Sequence, residues 1–227
     1  VGRSLIQMTY DRFSTIAEQA NFWVVTNAKY VDIVREQLPE IPAENILAEP
    51  AARNTAPCVA WAGWRILQKD PDANIVVTPA DAVILNVSLF RNIIGEALDY
   101  TRDTDAIVTL GIVPNRPETG YGYVEVADAI IGNVHKVASF REKPDLETAK
   151  KYLEAGNYLW NAGIFVWNVR TLAESIRQYV PQIAGLMDRM VPADGKEGEA
   201  VEAIFPTCEK ISIDYAVMEK HPNVCTI

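Results

Sequence analysis

Histidine is almost missing from this chain: His135 and His221 are the only two. That scarcity argues against a histidine-based zinc centre and a serine–histidine–aspartate triad, which both place imidazoles at the reacting centre. Cysteine is nearly as scarce. Cys58, Cys208 and Cys225 lie far apart and form no CxxC pair, so free thiols in a reducing cytoplasm are the simplest expectation. Positive charge is in the minority, with 21 Lys and Arg against 30 Asp and Glu and a net charge of -9. A nucleic-acid polymer calls for a basic surface, so none is expected as a partner. A free nucleotide stays open, because a metal ion and a few local basic groups can meet its phosphates. No apolar run approaches the length of a membrane span and no signal-peptide pattern is visible, so a cytoplasmic protein is expected. The rest of the composition is that of a globular chain, 49% hydrophobic and 22% charged, long enough for one large domain with its own core.

The most informative stretch is Asn74 to Leu85, NIVVTPADAVIL. The β-branched run Ile75-Val76-Val77 suits a strand buried on both faces of a parallel sheet. Thr78-Pro79 stops it, because proline cannot donate to the ladder. Asp81 follows between two small alanines. An acidic residue just past the carboxyl end of a buried strand sits where open α/β sheets bind ligands. The same residue equally suits a turn or helix cap.

Along the chain, helix and strand alternate. Leu5, Met8, Phe13 and Ile16 predict a helix over Ser4 to Gln19 with Ser4 as N-cap. Strands are expected over Phe22 to Thr26, Asn45 to Ala48 and Ala106 to Leu110, and helices from Thr26 or Asn27 to Leu38, from Thr55 to Lys69 and from Ser88 to Thr101. The last of these is expected to be buried through Leu89, Ile93, Ala97 and Leu98. Repeated units of this size imply a Rossmann-like, doubly wound, mainly parallel sheet. After Gly111 the rhythm changes to Gly-punctuated strands, Gly120 to Val126, Asn133 to Arg141 and Tyr158 to Asn168, with a helix over Asp145 to Ala155 closed by Gly156. That half reads as an added antiparallel portion covering the parallel sheet. Thr171 to Glu219 reads as mostly helical, with Ala193 to Gly198 as a flexible loop, and Asn223 to Ile227 as a last strand.

Polar residues gather at element ends. In Glu49-Pro50-Ala51-Ala52-Arg53-Asn54-Thr55, free amides at a helix start beside a carboxylate and an amide side chain suit the edge of a nucleobase. Asn54 or Thr55 as a simple cap, with Arg53 paired to Glu49, fits the same residues. Gly120-Tyr121-Gly122 gives either a close backbone approach to a ligand or a bulge. Glu142 and Lys143 should point to opposite faces of a strand that Pro144 ends, so both can reach one cleft or simply be solvated. Asn161 is an amide inside the apolar strand YLWNAGIFVW and needs partners there.

Together the segments EPAARNTAP, TPADAVI, ETGYGYVE, FREKPD, YLWNAGIFVW and SIDYAVMEK resemble, in this order, the mannose-1-phosphate guanylyltransferases, sugar-nucleotide pyrophosphorylases of the nucleotidyltransferase superfamily. The resemblance runs from about Gly2 to the end. It implies GMP transfer from GTP to mannose 1-phosphate, giving GDP-mannose and pyrophosphate, on a Rossmann-like core with Mg²⁺. It further implies that Glu49, Arg53, Asn54, Thr55 and Pro79 meet the nucleotide and that Asp81 ligates the metal. Gly122, Glu142, Asn161 and Asp214 would form the sugar side, and Lys143 would meet the sugar phosphate.

The chain departs from the family pattern at Ala82, where histidine is usual. A Gly-rich phosphate loop, GGxGTRLWPxSR, is expected ahead of Val1, and an FxWxDxGxW segment with a further metal aspartate after Ile227, so residues 1–227 read as a single catalytic domain lacking both pieces. A homodimer is open to such a protein. The alternatives are a sister pyrophosphorylase for another nucleotide or hexose, and a non-catalytic domain that binds a nucleotide sugar. A metal-dependent glycosyltransferase would carry Asp-x-Asp where this chain has Ala80-Asp81-Ala82.

Overall fold

A computed structural model describes residues 2–191 and 197–227. The expected flexible loop Ala193 to Gly198 falls largely on residues 192–196, outside the described residues.

The first half builds strand–helix units. Helix α1 (Leu5–Phe13) starts at a full capping box, in which Ser4 accepts from the Gln7 amide and the Gln7 side chain accepts from the Ser4 amide. It stops well short of Gln19, because Ser14 turns its hydroxyl onto the Asp11 carbonyl at 3.0 Å and so competes with the helix ladder. Strand β1 (Val24–Asn27) leads through a short turn into α2 (Val31–Gln37), and β2 (Ile46–Glu49) leads into α3 (Thr55–Lys69). Strand β3 (Asn74–Val77) is followed by α4 (Val87–Arg102) and β4 (Ile107–Ile112). The second half comprises β5 (Tyr123–Ile131), β6 (Val134–Arg141), α5 (Leu146–Ala155), β7 (Tyr158–Asn168), α6 (Val169–Tyr179), α7 (Pro181–Met190), α8 (Gly198–Ile204) and β8 (Val224–Thr226).

The strands form two sheets. β1 and β2 pair in parallel. The others form one mixed sheet in the order β3-β7-β4-β8-β6-β5. β4 and β8 are parallel. The antiparallel part is woven into the sheet instead of covering it, since β7 runs between β3 and β4 and is antiparallel to both. The first half of β7 also pairs with β5. Strands β7, β4, β8, β6 and β5 therefore make a closed circuit of pairings around Val124, Val137 and Val224. Gly163, at φ +69, lies where β7 passes from one set of partners to the other.

Helices cover both faces, as a doubly wound sheet requires. α3, α6 and α7 share a core with Phe165 and Trp167. α3 and α6 meet so closely at Gly63 that a Cβ there would stand 2.5 Å from Leu172 Cδ2. On the other face, α4 packs Phe90, Ile94 and Ala97 against Val108, Ile164 and Val166. Two expectations fail locally. β3 is half-buried along its length and, among the described residues, pairs only with antiparallel β7, so it is not a strand between parallel neighbours. Leu89 is 53% exposed, because the inner face of α4 is set one position later, by Phe90, Ile94, Ala97 and Thr101. Between β1 and β3 runs a cavity of about 940 Å³ lined by Val24, Val25, Ile75 and Val77, and by Thr55, Pro79, Gly163 and Asp214. No helix among the described residues is long and apolar enough to cross a membrane.

Candidate active site

The sugar-side residues expected from sequence come together where β5, β6 and β7 meet the Asp214 segment. β6 ends at Arg141, and Lys143 takes a left-handed backbone, φ +46, before Pro144. That turn brings Lys143 Nζ to 3.2 Å from Glu142 Oε1, although strand alternation alone would separate the two side chains. The Glu142 carboxylate is buried while Lys143 keeps about half its side chain in solvent. The turn is fixed at both residues: the Glu142 amide donates to Glu219 Oε1 at 2.8 Å, and the Lys143 amide donates to the Tyr121 carbonyl at 3.2 Å. A left-handed lysine costs energy, which such over-determination offsets.

Gly122 fits the same corner for a steric reason. A Cβ on it would stand 2.6 Å from Glu142 Oε2 and 3.4 Å from Asn161 Cβ, and its carbonyl accepts from the Asn161 amide at 2.8 Å. The Asn161 side chain finds the partners its burial demands. Its oxygen accepts from the Thr109 hydroxyl at 2.7 Å and from the Gly163 amide at 3.0 Å. Its nitrogen donates to Asp214 Oδ1 at 3.0 Å. Asp214 opens a single π-helical turn, Asp214–Met218, a local irregularity common at functional sites. Burial, with the negative charge of Glu142 close by, pushes the Asp214 carboxyl up to about 6, while Lys143 and Asn161 pull the other way.

The second group is the loop between β2 and α3. Asn54 caps α3 from a left-handed backbone, φ +67, and accepts from the Thr55 amide at 2.8 Å. The Thr55 hydroxyl accepts from the Ile213 amide at 2.8 Å, and the Ala56 amide donates to the Ile211 carbonyl at 3.1 Å. This loop is thereby tied to the residues just before Asp214. Glu49 Oε1 and Arg53 Nε are buried without a hydrogen-bond partner among the described residues, so a Glu49–Arg53 ion pair does not satisfy these atoms. Burial raises the Glu49 carboxyl above its usual range. An acceptor and a donor left unspent beside a helix start are groups that a ligand edge can use.

Asp81 stands apart from both groups. It is exposed, on the loop after β3, and does not enter the Asn161–Asp214 network. Its loop is nonetheless held. Buried Arg12 donates to the Ala82 carbonyl at 2.9 Å, and Thr9 donates to the Ala80 carbonyl at 3.3 Å. No cluster of three or more Asp, Glu, His or Cys able to hold a metal exists among the described residues. A divalent metal at Asp81 would find one protein carboxylate among the described residues and would need oxygens from elsewhere.

Sequence reasoning missed Thr109, Arg12 and Glu219. Thr109 did leave a signal, a hydroxyl within the apolar run of β4, and so did Arg12, a charge near the end of an amphipathic helix. Glu219 left none, because its role depends on a contact 77 residues away.

Comparison with known proteins places the chain in a family. A family model described as "Nucleotidyl transferase" matches residues 1–204. A mannose-1-phosphate guanylyltransferase from Klebsiella pneumoniae is 36% identical over 99% of this chain and 49% of its own length. The alginate biosynthesis protein AlgA of Pseudomonas syringae is 36% identical over 90% of this chain and 44% of its own. This chain thus spans about half the length of the curated relatives it matches. A crystal structure from Thermus thermophilus, described as a mannose-1-phosphate geranyltransferase, superimposes with a TM-score of 0.88 at 28% identity, covering 100% of this chain and 64% of that one. With the family model covering most of its residues and such relatives matching nearly all of them, this chain belongs to the nucleotidyl transferase family.

Proposed function

We propose that this chain carries the sugar-side and guanine-side groups of a mannose-1-phosphate guanylyltransferase, which transfers GMP from GTP to mannose 1-phosphate and releases pyrophosphate. The observation that carries the reading is the corner where Gly122, Glu142, Lys143, Asn161 and Asp214 converge. A buried carboxylate and a fixed amide suit sugar hydroxyls, and an ammonium beside them suits a phosphate. The names of the relatives supply the substrates.

The chemistry asks little proton transfer of the protein. The attacking oxygen belongs to the sugar phosphate, already an anion at neutral pH, so no general base is needed. Rate comes from holding the two phosphates in line and neutralising charge. Glu142 accepts hydrogen bonds from mannose hydroxyls, and Gly122 offers its backbone. Lys143, half-exposed at the rim, meets the phosphate of the sugar. Glu49, Arg53, Asn54 and Thr55 select guanine, using the unspent atoms of Glu49 and Arg53, and Pro79 borders the nucleotide. Nucleotidyltransferases typically use a divalent metal; we assign Mg²⁺ to it and Asp81 as its ligand, where it would supply charge neutralisation at phosphate oxygens.

The test is pyrophosphate release by the full-length gene product with Mg²⁺, GTP and mannose 1-phosphate, with dTTP, UTP, CTP and glucose 1-phosphate as alternative substrates. Release confined largely to GTP with mannose 1-phosphate is expected, and Asp81→Asn should abolish it while leaving the melting curve intact. Release with another pair would keep the mechanism and overturn the guanine reading of residues 49–55. No release with any pair from folded protein would favour a binding-only domain.

A further inference from the structure

Asn161 can present its amide to a ligand in two ways, related by a flip that swaps oxygen and nitrogen. The structure selects one through the Gly163 amide, which can only donate, and the Asp214 carboxylate, which accepts, and Thr109 then holds the chosen oxygen in place. The Thr109 side chain is fully buried at the centre of the sheet, on β4 between β7 and β8. A hydroxyl there is costly unless bonded. It lies 2.7 Å from Asn161 Oδ1, with the Ile164 carbonyl farther off at 3.2 Å. The Gly163 amide adds a second donor to the same oxygen. Because the Gly163 N–H can only donate and the Asp214 carboxylate accepts, the nitrogen faces Asp214 Oδ1. One N–H is spent on that carboxylate and the other is left for the corner beside Gly122, where Nδ2 stands 3.5 Å from the position of a Cβ on that glycine. The pairing of β4 with β7 shifts register between Thr109 and Gly111, and this irregularity sits directly at the hydroxyl that reaches Asn161.

We propose that Thr109 is a positioning residue of the sugar site: without touching substrate, its buried hydroxyl holds the Asn161 amide, oriented by Gly163 and Asp214, with a donor facing the sugar. The inference rests on the reading of this corner as the sugar site, and its experiment separates the two. Thr109→Val keeps the shape and removes the hydroxyl; Thr109→Ser keeps the hydroxyl. The first readout needs no substrate. The Asn161 side-chain NH₂ resonances in a ¹⁵N spectrum, assigned by their loss in Asn161→Ala, should move in Thr109→Val and return in Thr109→Ser. The second is steady-state kinetics of the full-length enzyme. Thr109→Val should raise KM for mannose 1-phosphate about tenfold, the scale of one good hydrogen bond, leave KM for GTP unchanged and lower kcat by less. Thr109→Ser should restore KM to within about twofold of the parent value, the hydroxyl being the group that matters. If Thr109→Val does not fold, Thr109→Ala carries the same comparison. Unmoved Asn161 resonances, or equal rises in both KM values, would overturn the proposal. Moved resonances in a protein that shows no turnover of mannose 1-phosphate would support the positioning role and count against the sugar reading instead.

Discussion

Asp214 is a half-buried acid at the wall of the cavity, close to the charge of Glu142. Its carboxyl, pushed up to about 6, prefers to be protonated in the fold more than in the unfolded chain. The sign follows from linkage. A raised acid contributes stability that is fully present below its unfolded value, near 4, and is lost as pH rises through the folded value. Between about pH 4 and pH 6 this residue therefore makes the protein less stable with rising pH, by about 3 kcal/mol for a carboxyl moved from about 4 to about 6. Asp214→Asn keeps an oxygen for the Asn161 amide and carries no charge. Urea melts should show the variant equal to the parent at about pH 4 and more stable by up to about 3 kcal/mol at about pH 7.5. Equal stabilities at both values would remove the burial argument. Such a stabilising change at the proposed sugar corner is the trade expected where a site keeps a charge that the fold alone would discard. From sequence, the corner is legible at Asn161, an amide that interrupts an apolar strand, and at Glu142 and Lys143, charges at a strand end closed by Pro144. The raised carboxyl of Asp214 is not, since it arises from neighbours far away along the chain.

At the scale of elements, the chain is legible where its punctuation is chemical. Asn54 before Thr55, Asp145 before Leu146 and Gly156 after Ala155 cap their helices as the sequence suggests. It is less legible where packing decides. The inner face of α4 is rotated by one residue from the expected one, because Leu89 and Phe90 are equally apolar and only the sheet chooses between them. Asn168 shows how much one junction residue can hold. It ends β7, and its oxygen caps α6 through the Thr171 amide at 2.8 Å. Its nitrogen donates to the Thr104 carbonyl at 2.7 Å, in the turn between α4 and β4. Asn168→Ala should cost about 1–2 kcal/mol in urea melts, a lost cap plus a carbonyl left short of a donor. Asn168→Asp, which keeps the cap and loses the donor, should fall between. A variant melting with the parent would show that solvent replaces both bonds at no cost.

At the scale of the whole molecule, the α/β class with parallel and antiparallel parts is legible from the change of rhythm at Gly111, but the weaving of β7 between β3 and β4 is not. Val166 pairs with Val76 on one side and Val108 on the other. Contacts so distant along the chain leave no local trace, and β3 and β4 look alike as apolar strands. The consequence is an uneven distribution of stability. The six-stranded sheet is clamped by α3, α6 and α7 on one face and α4 on the other, around fully buried Val108, Val166 and Trp167. The β1–β2 sheet has a small core of its own, Val31, Val34, Leu38, Ile41 and Ile46. Among the described residues it forms no ladder with the larger sheet, and the cavity beside β1 withholds packing along that edge. Segments with fewer buried contacts open at lower free energy. Native-state hydrogen exchange on this chain should therefore find the amides of Val24–Asn27 and Ile46–Glu49 exchanging through a sub-global opening. Those of Ile107–Leu110 and Ile164–Trp167 should exchange only with global unfolding, with rising denaturant converging the two classes. A ligand that reaches Glu49, Arg53 and Thr55 would bind across the boundary between these units, because Thr55 is tied to Ile213 on the far side. Adding GTP should then raise protection in β1 and β2 more than in β4 and β7. Uniform protection in the free chain, or a nucleotide effect confined to the larger sheet, would show instead that the two sheets behave as one cooperative unit.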